Sequence, residues 1–208
     1  MRAVIGRLHV LTDPRGGQLA LDAVVAAVTA GAPVVQIRQK DCTDRALYDF
    51  AAAVTAICAG SGATCIVNDR VDVALAVGAT GTHLGANDLP VAAVRRVAGP
   101  GHVIGGTARN PQQARDLVTA GADYIGVGPA YATTTKSGLP EPIGPAGVGA
   151  VAGAVDVPVI AISGVTAERV PELLAAGAWG VAVVSAVSGA ADPAAATRRF
   201  LSQLGGAR

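Results

Sequence analysis

AGAWGVAV at 176–183 ends an alanine-rich stretch, turns on a glycine and runs into an apolar segment. The same phrase stands at 30–37 (AGAPVVQI), 77–84 (VGATGTHL) and 120–127 (AGADYIGV). In each, the residues before the glycine have helical composition, and glycine is suited to the left-handed stop of a helix. A short apolar strand follows. Strands that read as continuous apolar runs between helices belong to a parallel sheet covered on its faces.

Extending this reading places strands near 8–12, 34–38, 64–68, 82–85, 102–106, 123–127, 158–162 and 180–184. Helices fall near 19–30, 44–59, 71–77, 90–98, 111–120, 145–154, 167–176 and 193–204. Asn110-Pro111 and Asp192-Pro193 read as N-caps followed by proline at the first helical position. Eight strand–helix units in this order predict a (β/α)8 TIM barrel, an α/β fold, filling 1–208 as a single domain. It is compact against the ~250 residues usual for that fold. A doubly wound open sheet is the competing topology. When such a sheet binds dinucleotides it usually carries GxGxxG after its first strand; none stands there in this chain, and a P-loop motif is also missing.

Composition narrows the function classes. Charged residues are 15% of the chain, against about 25% in an average domain, so the charges that exist are informative. A net charge of +1 without a basic tract argues against nucleic acid or an anionic membrane as partner. Cys42, Cys58 and Cys65 form no CxxC and read as reduced thiols of a cytoplasmic protein. No signal peptide is legible at the start. The uncharged run from Leu173 to Ala191 is broken by Gly177, Gly180, Ser185, Ser188 and Gly189, so it reads as helix end and buried strand. The expected ligands are small molecules, with association into a homo-oligomer left open.

In a barrel, chemistry belongs to the loops at the strands' C-terminal ends. There this chain gathers its scarce charges. QIRQK follows strand 2, with Gln36, Arg38 and Lys40 in one alternating phase. Asn68 and Asp69 follow strand 3, Asp88 strand 4, and Thr107 and Arg109 strand 5. After strand 6 comes GPAYATTTKSG (128–138), and after strands 7 and 8 come Gly164 and Ser185. Lys40 and Lys136 are the only lysines in the sequence, against fourteen arginines, and both fall in this set. Two carboxylates with an asparagine fit a hard cation such as Mg2+ shared with phosphate oxygens. Arg38, Lys40 and Lys136 would face the same anion. Glycine and hydroxyl loops after strands 7 and 8 match the phosphate site that barrels often build there. Two anions are implied, a metal-chelated diphosphate and a separate monophosphate.

Each feature has a plainer reading. Asp69 and Asp88 could cap the helices that follow them. His83 could be a hydrogen-bonded residue at a strand end, Gly164 a tight turn, and Thr133–Thr135 an ordinary polar loop. Arg38 and Lys40 could be solvated charges. Their joint placement favours a site.

QIRQK, VNDRVDVALAVGATGTHLGANDLP, GPAYATTTKSG with Gly144 eight residues beyond Lys136, and VVSAVS together resemble thiamine phosphate synthases over almost the whole chain. The resemblance implies a TIM barrel that joins hydroxymethylpyrimidine diphosphate to a thiazole phosphate carboxylate, releasing diphosphate and carbon dioxide. It implies pyrimidine diphosphate binding by Gln36, Ile37, Arg38, Gln39, Lys40, Asn68, Thr107 and Lys136, with Arg38, Lys40 and Lys136 catalytic. It makes Asp69 and Asp88 ligands of Mg2+, the implied cofactor. Thr133, Thr134, Thr135, Gly164, Val184 and Ser185 would hold the thiazole phosphate.

The chain departs from the family pattern at three places. Thr107 and Arg109 replace a serine and, two residues on, a histidine; Ser163-Gly164 replaces two glycines; and Ala132 replaces a proline. Two rivals stand beside this reading: a thiazole tautomerase-like isomerase on the same barrel, which needs no diphosphate site, and a non-catalytic barrel that binds a phosphate ligand.

Overall fold

The computed structural model describes residues 5–13, 16–133, 135 and 138–205. The eight strands are β1 (Leu8–Leu11), β2 (Val34–Ile37), β3 (Thr64–Asn68), β4 (Gly81–Leu84), β5 (Val103–Ala108), β6 (Tyr124–Val127), β7 (Val159–Ile162) and β8 (Gly180–Val183). They pair in parallel and in sequence order, and β8 closes on β1. The open-sheet alternative is thereby excluded.

Around them lie α1 (Gly17–Thr29), α2 (Asp44–Ser61), α3 (Val71–Ala76), α4 (Val91–Ala98), α5 (Pro111–Thr119), α6 (Gly144–Ala152), α7 (Val170–Ala175), α8 (Ser185–Ser188) and α9 (Pro193–Gln203). The expected caps are present. Asn110 Oδ1 accepts from Gln113 N at 2.9 Å, and Asp192 Oδ1 accepts from Ala195 N at 2.9 Å. Three details differ from the sequence expectation. Strand β5 continues to Ala108, a 3-10 turn at Ala167–Arg169 precedes α7, and the short α8 follows β8 directly.

The register sorts the interior. His9 lies opposite Val34 and Ala182, His83 opposite Asn68 and Gly105, and Gly105 opposite Tyr124. One alternating phase therefore fills the lumen, where Leu11, Val34, Ile66, Val103, Tyr124, Ile160 and Ala182 form one buried cluster. The other phase packs outward against the helices; Val35, Ile37 and Val67 meet Leu47, Phe50 and Val54 of α2. This is why the strands read as unbroken apolar runs: both faces are covered. Gly105 is required where it stands. A Cβ there would lie 2.1 Å from Tyr124 Cζ and 2.5 Å from His83 Nδ1.

At the barrel's N-terminal end, Arg95 acts as a staple. Its guanidinium donates to the carbonyls of Gly99, His102 and Gly121 and meets Asp123 Oδ2 at 2.6 Å. That carboxylate also accepts from Ile104 N at 2.8 Å. The staple secures the end of the barrel opposite the candidate site. No helix among the described residues is long and apolar enough to cross a membrane.

Candidate active site

The C-terminal mouth places most of the expected residues side by side. Gln36 is buried in the lumen phase at the end of β2. Beyond it, Arg38 N donates to Thr12 Oγ1 at 3.0 Å, tying the loop after β2 to the loop after β1. Ile37 faces the other way, into the shell beneath α2, so only its backbone can serve the mouth. The Gln39 amide lies against Gly16 in the loop after β1.

Asp69 takes a left-handed backbone, φ 66°, while its N–H donates to the His83 carbonyl at 2.8 Å. The β3–β4 pairing thus runs one residue past the strand, and the chain then turns. Lys40 Nζ meets Asp69 Oδ2 at 2.9 Å, and the carboxyl of Asp88 lies beside that of Asp69. Neither acid is a helix cap, because the N-cap positions of α3 and α4 are Arg70 and Pro90, and neither makes a side-chain cap hydrogen bond. Instead, Asp88 Oδ2 accepts from Gly85 N at 2.6 Å and closes its own loop.

The two acids are driven apart in proton affinity. Burial opposes ionisation of Asp69, but hydrogen bonds from Asp88 and Lys40, with the charges of Lys40 and Arg38, hold its carboxyl below the usual range. For Asp88, burial and then the neighbouring Asp69 raise the carboxyl above it. A pair of carboxyls that cannot both ionise cheaply is a natural acceptor for a cation.

Deeper in the lumen, Thr107 Oγ1 lies 2.9 Å from His83 Nε2, and His83 Nδ1 lies 3.0 Å from the Tyr124 hydroxyl. Burial lowers the His83 pKa to about 4, with the charge of Asp88 opposing. The imidazole is therefore neutral near pH 7, and both ring nitrogens are engaged. His83 is the hydrogen-bonded strand residue of the plainer reading and offers no free base. Arg109, just beyond β5, reaches the neighbouring loop after β6, where its Nη2 donates to the Glu141 carbonyl at 2.6 Å.

On the other side of the mouth, Thr135 Oγ1 lies 3.2 Å from Ser185 Oγ, and Thr135 N donates to Thr133 Oγ1 at 3.2 Å. Thr133, Thr135, Gly164, Val184 and Ser185 line one cavity of about 110 Å³, which Arg38 also reaches. Gly164, at φ 63°, must be glycine: a Cβ there would lie 2.4 Å from the Ala132 carbonyl oxygen. Ser163 before it is also left-handed, at φ 79°. Thr134 and Lys136 lie outside the described residues.

A family model described as thiamine monophosphate synthase matches residues 8–187. The chain belongs to this family. The thiamine-phosphate synthases of Salinispora arenicola (strain CNS-205) and Salinispora tropica are 58% and 57% identical to it, each over 96% of this chain and 98% of theirs. Among solved structures, a thiamine phosphate pyrophosphorylase from Pyrococcus furiosus superposes with a TM-score of 0.88 at 33% identity, covering 96% of this chain and 95% of that one. The protein is thus a thiamine-phosphate synthase by kinship, a transferase of thiamine biosynthesis, as the motifs implied.

For a thiamine monophosphate synthase, two groups at this mouth have no forewarning in the sequence. Arg169 donates from Nη1 to the Gly164 carbonyl at 2.6 Å and lies 4.2 Å over the Tyr131 ring. The Tyr131 hydroxyl in turn donates to Glu172. These contacts join loops far apart in sequence, and no local periodicity announces them.

Proposed function

We propose that the mouth joins hydroxymethylpyrimidine diphosphate to a thiazole phosphate carboxylate, giving thiamine phosphate, diphosphate and carbon dioxide. The observation that carries this reading is the adjacency of two unlike halves. Asp69, Asp88, Lys40 and Arg38 form a charged half. Beside it lies a cavity lined by hydroxyls and glycine, reached by the same Arg38.

On this reading Gln36, Arg38, Gln39, Lys40, Asn68, Thr107, Lys136 and the backbone at Ile37 hold the pyrimidine diphosphate. Thr133, Thr134, Thr135, Gly164, Val184 and Ser185 hold the thiazole phosphate. Asp69 and Asp88 fit a hard cation, being paired carboxyls at a mouth that receives phosphate oxygens. Mg2+ bound there supplies charge neutralisation on the diphosphate. Among the described residues no third carboxylate, histidine or cysteine joins them, so substrate oxygens and water would complete the shell.

Breaking the carbon–oxygen bond leaves negative charge on diphosphate and positive charge on the pyrimidine methylene. Arg38, Lys40 and Lys136 stabilise the first where it develops. The electron-rich aminopyrimidine delocalises the second. The thiazole nitrogen attacks without losing a proton, and carbon dioxide then leaves the ring carbon with its bonding pair left behind to take up a proton from water. No step needs a general base, which agrees with a site where His83 has both nitrogens engaged. An isomerase would have no use for the charged half. We further take residues 1–208 as a single catalytic barrel domain, acting in the cytoplasm on small molecules, with Mg2+ as the metal.

Incubating the purified protein with both substrates and Mg2+ tests the reading. Thiamine phosphate and diphosphate should appear in equal amounts, and omitting either substrate should abolish both. Conversion of the thiazole substrate alone, without pyrimidine diphosphate, would instead establish an isomerase.

A further inference from the structure

We infer that Arg169 sets specificity for the phosphate of the thiazole substrate, by positioning the Ser163-Gly164 loop and by presenting a guanidinium to the outer side of the hydroxyl-lined cavity. This rests on the proposal that this cavity receives the thiazole phosphate. Thr133, Thr135, Gly164 and Ser185 line both the inner cavity and a second, more open one outside it. Arg38 is the charged residue of the inner cavity, and Arg169 is that of the outer one, among the described residues. A phosphate seated on the shared hydroxyls therefore has a guanidinium on each side. A single cation would suffice for a monoanion; two suit the dianion of a phosphate monoester.

The positioning role follows from the backbone. Ser163 and Gly164 are consecutive left-handed residues, a conformation that a serine holds only when its surroundings impose it. Backbone bonds from Ala130 N to Ile162 O (2.8 Å) and from Tyr131 N to Ser163 O (3.1 Å) tie the loops after β6 and β7 together. Arg169 completes the tie by donating from Nη1 to the Gly164 carbonyl at 2.6 Å. Stacking on Tyr131 fixes the plane of the guanidinium, and Glu172 fixes Tyr131. Among the described residues, one N–H of the fork is spent on the backbone, which leaves the others for an anion.

The test is steady-state kinetics of Arg169→Ala and Arg169→Lys, with Thr135→Val as a probe of the cavity itself. Arg169→Ala should raise KM for the thiazole phosphate about tenfold or more, as expected for losing a charge-assisted contact. Its kcat and its KM for pyrimidine diphosphate should stay within about twofold of the parent. Arg169→Lys should recover part of the affinity, because it keeps the charge but loses the fork and the stacking. With the dephosphorylated thiazole alcohol as substrate, parent and Arg169→Ala should behave alike. A fall in kcat or a rise in KM for both substrates would overturn the inference and leave Arg169 a structural staple. So would an unchanged KM for thiazole phosphate, if Thr135→Val raises it. If neither variant changes that KM, it is the assignment of the cavity that fails, and the inference falls with it. Should Arg169→Ala not fold, Arg169→Lys carries the same comparison, since any specific loss must appear in thiazole phosphate KM alone.

Discussion

Lys40 Nζ stands 2.9 Å from Asp69 Oδ2, on a mouth where the lysine is about half exposed. An ion pair so open to water adds little to folding, typically less than ~1 kcal/mol. Its value lies in where it puts charge: an ammonium beside the carboxyl pair that faces the incoming diphosphate.

Lys40→Met should therefore leave thermal stability within about 1 kcal/mol of the parent while lowering kcat/KM about a hundredfold. Asp69→Ala should abolish activity at ordinary Mg2+ concentrations, and chelator should do the same to the parent. Full activity in excess EDTA would remove the metal assignment. Equal loss of stability and activity in Lys40→Met would make the pair structural.

Thr107 replaces the serine of the family pattern, and its hydroxyl is bonded to His83 Nε2. Thr107→Ser keeps that bond and removes a methyl at the mouth, so it should bind pyrimidine diphosphate at least as tightly as the parent. Thr107→Val keeps the shape but strands a buried ring nitrogen, costing about 1–3 kcal/mol in urea unfolding. A large loss of binding in Thr107→Ser, measured by calorimetry, would show that the methyl is required.

The strands were legible because both faces of each are covered, so apolar runs and glycine stops marked them within a residue or two. Strand β5 runs two residues beyond the expected 106, and Gly105 within it makes room for Tyr124 and His83. The short α8 and the 3-10 turn before α7 have too few residues for any periodicity to register. At the site, alternation exposed Gln36 and Arg38, and the joint placement of Asp69 and Asp88 outweighed their reading as caps. Arg169 escaped because its place at the mouth is fixed by a contact with Tyr131, and sequence spacing carries no record of it.

The barrel's far end offers a control on stability alone. Arg95 bonds three carbonyls and Asp123 there. Arg95→Ala leaves those acceptors and a part-buried carboxylate without their partner, so it should cost about 2–3 kcal/mol in chemical denaturation. Both KM values and kcat, measured below the new melting point, should be unchanged. Altered kinetics at full folding would mean that the N-terminal face communicates with the mouth.

His9 makes folding sensitive to acid. It is fully buried in the lumen, its Nδ1 has no hydrogen-bond partner, and its ring meets Tyr124 edge-on at 5.3 Å. Burial, then the nearby His83, lowers its pKa to about 3, with the Gly6 carbonyl opposing. In the unfolded chain a histidine titrates near ~6.5. Between those values the unfolded state binds the proton and the folded state does not. The stabilising contribution is therefore complete above the unfolded value and drains away as the pH falls towards 3.

Taking pH 7 to pH 5 should cost the parent about 2 kcal/mol through His9 alone, with further loss from other groups such as His83. His9→Leu removes the titrating ring and its orphaned nitrogen, so its stability should fall by about 2 kcal/mol less over the same interval. Urea unfolding at the two pH values reads this directly. Identical acid losses in parent and variant would mean that His9 takes up its proton without unfolding the barrel.

Lys136 follows Thr135 in the sequence, the residue whose hydroxyl lies 3.2 Å from Ser185 Oγ, in a chain that otherwise prefers arginine. Its proposed work is to meet charge that grows as diphosphate leaves, a contact made chiefly in the transition state. Losing one such contact typically costs on the order of 3 kcal/mol, about a hundredfold in rate. Lys136→Ala should thus lower kcat by roughly that factor and weaken thiazole phosphate binding far less. Lys136→Arg should restore only part, because a planar fork cannot replace a compact ammonium that must follow a departing anion. Full activity in Lys136→Arg, or a loss in Lys136→Ala confined to thiazole KM, would move this lysine from the leaving group to the cradle.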